Sequence, residues 1–279
     1  MAKDIIIYPS GDTTNSNPFI RYSGGSDVNY IMEMTSDGYL DLSIEENIVT
    51  SGLTFYVDAG NYESYSGGTT WYDLSGFDNN GTLTNGPVYD SGSISFDGSN
   101  DFVRIPNSSE LQFGLGSFTA FAWVYPSGTN DVRIINNRGT GSGGSYKGYQ
   151  FKLGQNSSNW YFRDSGIDDA TGNYKSCYGC GSSYPLNNWY YINMIYETQN
   201  ELRFYVNGVL DGTLSVGTYG SLTNSLPTAI GAAISSNGVE GSKSQYYNGK
   251  MPIVGLYNRA LSATEVLQNY NAQKYRFGL

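Results

Sequence analysis

Three tyrosines in a polar stretch of the chain, Tyr174, Tyr178 and Tyr184, are the residues best suited to binding. Their neighbours are mostly Gly, Ser, Asn and Lys, which is loop sequence where burial in a core does not readily explain an aromatic ring. Aromatic faces stack on sugar rings, and tyrosine is also enriched at protein interfaces. These three residues are therefore predicted to form a weak carbohydrate-binding or partner-binding site.

Asp97 and Asp101 are the acidic pair that a metal ion would use, because calcium takes several oxygen ligands from turns. The alternative is that both carboxylates accept hydrogen bonds from the backbone of a tight connection between two strands. We favour the second interpretation. No cofactor is predicted, and calcium at these two residues remains the alternative.

Cys177 and Cys180 are the two cysteines of the chain, and they are separated by a Tyr-Gly pair. A redox motif with this spacing belongs at the start of a helix, whereas the surrounding Gly, Ser and Tyr indicate a loop. A zinc site would need two further soft ligands, which the sequence does not contain. The prediction is a disulfide that staples a loop, or two free thiols.

Catalytic residues are not predicted. The chain has no His, which removes the commonest general base. Retaining glycoside hydrolysis needs two carboxyl groups about 5 Å apart, and no strand carries the required pair. Asp164, Asp168 and Asp169 are assigned to a Gly-containing loop. We predict that the protein is not an enzyme, with a glycan-active hydrolase as the least favoured alternative.

Charge and hydropathy exclude several classes of partner. The net charge is −10 and the Lys and Arg residues are scattered, whereas nucleic-acid binding needs clustered cations. No apolar run is long enough to span a bilayer. The first residues lack the apolar core of a signal peptide. The sequence therefore predicts no nucleic-acid partner, no membrane insertion and no signal peptide.

Residues 1–50 are predicted to form a small β module for anchoring or oligomerisation. Short apolar runs alternate with turn residues, and the Asp37-Gly38 pair is typical of a hairpin. A module with so few large apolar groups makes a marginal core by itself. Its predicted strands cover residues 5–8, 18–22, 30–34 and 39–42.

Residues 51–279 are predicted to form one all-β domain with a single short helix. Asn207-Gly208 favours a type I′ turn, and 118–125, apolar on both faces, predicts a central buried strand. Ser262 and Glu265 form a capping box for a helix that ends near residue 272. The predicted strands are 52–57, 93–96, 102–105, 118–125, 150–153, 160–163, 189–196, 202–206, 228–231 and 251–257.

Five segments resemble laminin-G-like jelly rolls of the concanavalin-A superfamily, in the order that this family has them. They are LTFYVDAGN at 53–61, TWYDLSG and NNGTL at 70–83, ISFDGSNDFV at 94–103, FYVNG at 204–208, and LYNRALS at 256–262 followed by Glu265. The resemblance covers residues 51–279 and implies an all-β, concanavalin A-like (laminin-G-like) jelly-roll sandwich. The segment at 94–103 matches the hairpin of the family.

The leader sequence IIIYPSG at 5–11, together with this domain, resembles bacteriophage virion structural proteins, notably those of marine phages. The resemblance implies a non-enzymatic structural protein of a virion, either a capsid decoration protein or a tail or fibre component. It would assemble in the host cytoplasm and contact other virion proteins and copies of itself. The alternative is a carbohydrate-binding adhesin that recognises host surface glycans.

Overall fold

The computed structural model describes residues 19–23, 29–34, 40–45, 47–128, 130–140, 147–155, 158–169, 174–178, 180–235 and 245–279. The chain divides into two compact units, residues 1–49 together with 267–279, and residues 50–266. The boundary that the sequence predicted after residue 50 stays a prediction.

The first unit contains a three-stranded antiparallel sheet in the order β1-β2-β3. The strands are β1 (Phe19–Ser23), β2 (Asn29–Met34) and β3 (Leu40–Glu45). They match three of the four strands predicted for this segment, and the fourth, at 5–8, lies outside the described residues. Asn47 and Val49 are tied to the C-terminal part of the unit, since the Gln268 side chain donates to the carbonyl of Asn47 over 2.8 Å.

The second unit is built from short strands connected mostly by turns. Its strands and the helix that leaves it are β4 (Leu53–Asp58), β5 (Thr70–Trp71), β6 (Gly81–Thr84), β7 (Val88–Asp90), β8 (Ser93–Asp97), β9 (Phe102–Ile105), β10 (Phe118–Pro126), β11 (Val132–Asn136), β12 (Gly139–Thr140), β13 (Gly148–Gln155), β14 (Asn159–Asp168), β15 (Tyr174–Tyr178), β16 (Tyr184–Pro185), β17 (Tyr190–Glu197), β18 (Glu201–Val206), β19 (Val209–Ser215), β20 (Thr228–Ile230), β21 (Ile234–Ser235), β22 (Asn248–Tyr257) and α1 (Ala263–Asn271). One-turn 3₁₀ helices span Ser109–Leu111 and Lys274–Phe277.

Two large antiparallel sheets face each other in this unit. The first has the order β19-β18-β17-β10-β22-β8-β7, with β4 also paired to β22. The second has the order β15-β14-β13-β11-β20-β9-β6-β5, with β16 paired to β14, and β12 and β21 form a separate parallel pair. The predicted all-β jelly-roll sandwich is confirmed.

Alternation along the strands fills the core between the sheets. In β10, Phe118, Ala120, Ala122 and Val124 enter the core, where Phe118 packs against Tyr149 of β13. The opposite side of β10 carries its own aromatic contacts, between Phe121, Trp123 and the rings of Tyr191 and Tyr257. These four side chains are fully buried, so the prediction that this strand is buried on both faces is confirmed.

The helix α1 begins where the capping box placed it. The Ser262 hydroxyl accepts from the backbone N–H of Glu265 over 3.3 Å, and the Glu265 carboxylate accepts from the backbone N–H of Ser262 over 2.8 Å. Each partner thus satisfies a donor that the first helical turn leaves unpaired. Val266 is buried, whereas the next residue, Leu267, is 44% exposed. No helix in the described ranges is long and apolar enough to cross a bilayer.

One expectation about strands is wrong, and several strands were missed. The segment 97–101 does not close a hairpin, because β8 pairs in the first sheet and β9 in the second, so the segment crosses between sheets. Strands β11, β15 and β19 were not predicted. Most of the other missed strands have two to four residues, and such lengths carry too few positions for an alternation to be visible.

Candidate functional site

Polar and charged side chains cover the outer side of the second sheet where β11, β13, β14 and β15 lie next to each other. The strands alternate, apart from register shifts after Arg133 in β11 and after Arg163 in β14, so that their apolar residues enter the core and most residues between them face outward. In β13, for example, Phe151 and Leu153 are core residues and Lys152 lies between them. We call this surface the charged face; it comprises Asp131, Arg133, Asn136, Arg138, Gln150, Lys152, Arg163, Asp164, Asp168, Tyr174 and Tyr178.

Ion pairs engage every carboxylate of the charged face. Asp168 Oδ2 accepts from Nε and Nη2 of Arg138 over 3.0 and 2.8 Å. Lys152 Nζ lies 3.0 Å from Asp164 Oδ2 and 3.5 Å from Asp131 Oδ2. Arg163 Nη1 donates to the other oxygen of Asp131 over 3.1 Å. The three acidic groups are thus held as counterions of three cations.

Arg133 is the fourth cation of the charged face, and its guanidinium makes no hydrogen bond or ion pair with any described residue. The side chain is buried, with only 3% of the residue exposed, and its Nε and Nη1 atoms lack a hydrogen-bond partner. Burial lowers the pKa of Arg133 to about 10, so the group still carries its proton at neutral pH. The charged face therefore holds one positive charge that its own carboxylates do not compensate.

Two buried acceptors of the charged face are also without a partner among the described residues. They are Oδ1 of Asn136 and Oε1 of Gln150. The two residues are register partners of β11 and β13, on the same two strands as the pair of Arg133 and Lys152 and beyond a register shift. Buried polar groups in proteins are nearly always hydrogen-bonded, so unpaired donors and acceptors on one surface point to a missing ligand or to ordered water.

Tyr174 and Tyr178 lie at the margin of the charged face, where arginines stack on their rings. The guanidinium carbon of Arg138 is 4.4 Å from the ring centre of Tyr174, and that of Arg163 is 5.0 Å from the ring centre of Tyr178. The Tyr174 hydroxyl donates to the carbonyl of Asp164 over 3.0 Å. Solvent reaches 37% of Tyr174 and 69% of Tyr178, so both rings are available to a ligand.

Tyr184, the third predicted tyrosine, is not part of this surface. Its ring stacks on the buried Trp160 at 4.9 Å, and its hydroxyl donates to Asp211 Oδ1 over 2.6 Å. Burial and the neighbouring Asp211 carboxylate raise the pKa of Tyr184 above its ordinary value. The structure thus brings together Tyr174 and Tyr178, and it places Tyr184 against the core.

The expectation that these tyrosines and the aspartates around 164–168 lie in loops is wrong. Tyr174 and Tyr178 begin and end the edge strand β15, and Asp164 and Asp168 belong to β14. Ser165 and Gly166 in β14 and Ser176 in β15 mask the alternation, because residues without large side chains do not show which face is buried. The sequence did contain one indication of these outward-facing positions, a single cation between apolar residues, as in Val132-Arg133-Ile134 and Phe151-Lys152-Leu153.

Cys177 and Cys180 form a disulfide. Cys177 is fully buried and belongs to the core cluster, since it points inward from β15 between the outward Ser176 and Tyr178. The bond therefore joins the edge of the second sheet to the residues that follow it. This position differs from the predicted loop because Cys177 lies within a strand.

The predicted calcium pair makes hydrogen bonds within the chain segment that contains it. The backbone N–H of Asp97 donates to Asp101 Oδ2 over 3.0 Å, and that of Ser99 donates to Asp97 Oδ1 over 2.8 Å. Burial raises the pKa of Asp101. Among the described residues, no group of three or more His, Cys, Asp or Glu side chains is placed to hold a metal. Calcium at Asp97 and Asp101 stays a prediction.

A second polar feature, which the sequence did not predict, is a cleft of about 220 Å³. Amide and hydroxyl side chains line part of its walls, and none of the described residues that line it is charged. We call it the amide-lined cleft; its residues are Gly98, Ser127, Gly128, Asn130, Val132, Gln155, Tyr246 and Asn248.

A family profile for the concanavalin A-like lectin/glucanases superfamily matches residues 97–267. The chain belongs to this superfamily. The matched region contains every residue of the charged face. A comparison with curated proteins gave no match.

Solved structures with the same fold include binding domains of bacterial toxins. The ligand-binding domain of botulinum neurotoxin serotype D, in complex with N-acetylneuraminic acid, has a TM-score of 0.59 and 13% identity over 81% of this chain and 52% of that one. The binding domain of Paraclostridial Mosquitocidal Protein 1 has a TM-score of 0.54 and 17% identity over 79% and 52%.

A Trypanosoma rangeli sialidase in complex with 2,3-difluorosialic acid is also similar, with a TM-score of 0.57 and 15% identity over 94% of this chain and 45% of that one. The chain spans about half the length of these structures. Similarity at this level of identity shows a shared fold alone.

Proposed function

We propose that the protein is a non-enzymatic glycan-binding protein and that its charged face is the sugar-binding surface. The observation that carries the proposal is the buried, unpaired guanidinium of Arg133 near Tyr174, on a face that also carries the accessible ring of Tyr178. A sugar offers hydroxyl groups and an apolar ring face, so a site for it combines polar groups in fixed positions with aromatic rings.

The comparisons support a glycan as the class of ligand. Lectins are among the proteins that give the superfamily its name. The serotype D neurotoxin domain was solved with N-acetylneuraminic acid, and cell entry of neurotoxin type C depends on two ganglioside molecules. Carbohydrate recognition is thus a use of this fold in proteins that share little sequence with the chain.

Binding without cleavage is proposed because of how the carboxylates are engaged. Retaining hydrolysis needs a protonated carboxylic acid and a free carboxylate on the two sides of the glycosidic bond. Asp131 and Asp164 lie against Lys152, and Asp168 is held by Arg138. Acidic groups committed to cations in this way serve as counterions, and the sialidase likeness extends to the fold alone.

We further propose that the protein acts on a phage virion, as a capsid decoration protein or as a tail or fibre component. The observation that favours this setting is the small three-stranded sheet of the first unit, joined to a leader that resembles phage virion proteins. A module of this size with so few large apolar groups makes a marginal core by itself, which favours packing against a partner. Other virion proteins and copies of the chain are the proposed partners, and host surface glycans are the proposed ligands.

The glycan-binding proposal is tested by a glycan array with the full chain, Tyr178→Ala and Tyr62→Ala. Tyr178 and Tyr62 are both highly exposed, at 69% and 81%, so neither substitution removes a core contact. We expect Tyr178→Ala to weaken binding to the glycans that the wild type selects and Tyr62→Ala to leave it unchanged. Equal binding by all three proteins would exclude the charged face as the site.

The virion proposal is tested by light scattering of the full chain over a range of concentrations. We expect an oligomer, because a protein that coats or extends a particle contacts copies of itself. A monomer at every concentration would argue against self-association on a particle.

A further inference from the structure

We infer that the glycan bound at the charged face is acidic, and that Arg133 binds its carboxylate. This inference rests on the proposed function and adds the chemical class of the ligand and the residue that selects it. It assigns a role to the guanidinium that the ion-pair network of the surface leaves unused.

A buried guanidinium without a hydrogen-bond partner, such as that of Arg133, is energetically unfavourable. A guanidinium has five N–H donors, and burying a charge is unfavourable unless it is paired and hydrogen-bonded. Arg133 is 3% exposed, and its guanidinium has no hydrogen-bond partner among the described residues. An apolar side chain would fill the same space without this penalty, so the cation at this position points to a partner other than the described residues.

The carboxylates near Arg133 are already in ion pairs with other cations. Asp131 and Asp164 act electrostatically on Arg133, but both are in ion pairs with Lys152, and Asp131 also accepts from Arg163. Arg138, close enough to repel Arg133 electrostatically, adds a second positive charge that is matched by Asp168. The surplus on this surface is therefore one positive charge, which suits one monoanionic group.

The unpaired atoms of the charged face include both hydrogen-bond donors and hydrogen-bond acceptors. The planar guanidinium fork matches the two oxygens of a carboxylate, which it binds through parallel hydrogen bonds. Among the described residues, no group donates to Asn136 Oδ1 or to Gln150 Oε1, which belong to the same two strands. A sugar acid offers partners for both kinds of atom. Its carboxylate accepts hydrogen bonds from Arg133, and its hydroxyl groups donate to the two amide oxygens.

The exposed tyrosines at the margin are where we expect a saccharide to contact the charged face. Tyr178 and Tyr174 expose 69% and 37% of their surfaces, and each ring stacks with an arginine of the charged face. A saccharide lying on these rings reaches from solvent toward the buried cation. A small inorganic anion would satisfy Arg133 without using either tyrosine, which is why we assign a saccharide.

The test compares matched glycans on the wild-type chain, Arg133→Met and Arg104→Met. Arg104 is the control, because it is an exposed arginine on β9 of the same sheet, outside the charged face. The probes are sialyllactose, oligogalacturonate, the neutral counterparts lactose and methyl-esterified oligogalacturonate, and sulfated lactose. Affinities are measured by calorimetry, and melting temperatures are recorded for each protein.

We expect the wild type to bind at least one carboxylate-bearing probe about tenfold or more tightly than its neutral counterpart, as a charge-assisted bidentate pair allows. Arg133→Met should lose this preference while melting at the same or a higher temperature, because it removes an unpaired buried charge. Arg104→Met should retain the preference. A folded Arg133→Met protein that has lost acid selectivity cannot be explained by a merely structural arginine.

Three outcomes overturn the inference, and they are distinguishable. Equal binding of neutral and acidic probes, unaffected by Arg133→Met, leaves the glycan-binding function standing and removes the role of Arg133. Preference for the sulfated probe over both carboxylates replaces the carboxylate by another anion. Absence of binding to all probes, and to every glycan of the array, contradicts the proposed function itself.

Discussion

The guanidinium of Arg138 makes two contacts at once: its central carbon lies 4.4 Å from the ring centre of Tyr174, and its Nε and Nη2 donate to Asp168. Asp168 and Tyr174 are register partners in β14 and β15. The arginine thus spans two neighbouring strands at the edge of the second sheet. It holds the ring of Tyr174 in place before any ligand arrives, which lowers the entropic cost of binding.

Replacing Arg138 by lysine should weaken this edge. Lysine keeps the positive charge but loses the planar group that stacks on the ring and the second donor to Asp168. We expect a loss of about 1 kcal/mol in the free energy of unfolding, measured by urea denaturation. The exposed Arg104→Lys is the control, and an unchanged midpoint for Arg138→Lys would show that the stack contributes nothing.

Acid should remove a stabilising interaction at the start of α1. Arg259 donates to both carboxylate oxygens of Glu265, over 2.6 and 3.0 Å, and lowers the pKa of Glu265 to about 2 from an ordinary 4.5. Because the folded-state pKa is depressed, the stabilisation is complete above pH 4.5 and is lost as the pH falls toward 2.

The matching variant is Glu265→Gln, which keeps the capping geometry but not the charge. It should unfold at a lower temperature than the wild type at neutral pH, by a few degrees for about 1 kcal/mol of lost capping and pairing. The difference should shrink as the pH falls from 4.5 toward 2. A difference that is constant over this range would contradict the depressed pKa.

Reduction of the disulfide should have a small effect. The bond between Cys177 and Cys180 closes a loop of very few residues, so the entropy that it removes from the unfolded chain is worth about 2 kcal/mol at most. Urea unfolding with and without a reductant measures this value, and the chain has no other cysteine on which the reductant acts. A much larger loss would mean that the bond also supports the folded edge strand.

Glycan turnover is not expected. Incubation of the full chain with a broad panel of neutral and acidic glycans, sialosides included, should release no product. Product that disappears in Asp164→Asn and in Asp131→Asn would contradict the proposal that these carboxylates serve as counterions of Lys152 and Arg163. Product that persists in both variants would point to a contaminating enzyme.

The sequence predicted the sandwich because its long strands alternate or are apolar throughout. The central strand β10 and the helix α1 were predicted within one or two residues, since Phe118 starts an unbroken apolar run and Ser262 with Glu265 defines a cap. The sequence did not show which of the two sheets each strand joins. Nothing in the residues 97–101 indicates that β8 and β9 pair in different sheets, because that depends on contacts with β22 and β20.

The charged face could be predicted only in part. Tyr174 and Tyr178 were selected for their polar surroundings, and they lie on it. Arg133 was not selected, because a lone arginine between Val132 and Ile134 is unremarkable until the sheet order places β11 beside β13. Arg133 differs from its neighbours because the described carboxylates near it are paired with other cations. This property depends on the packed structure, and no local sequence pattern shows it.

The central claim is that a glycan binds at the charged face. A crystal structure of the full chain with the strongest ligand from the array tests this claim most directly. We predict sugar density against Tyr174 and Tyr178, with an acidic group within hydrogen-bond distance of Arg133. Density in the amide-lined cleft, with an empty charged face, would contradict the account and move the lectin site to the residues around Asn130 and Asn248.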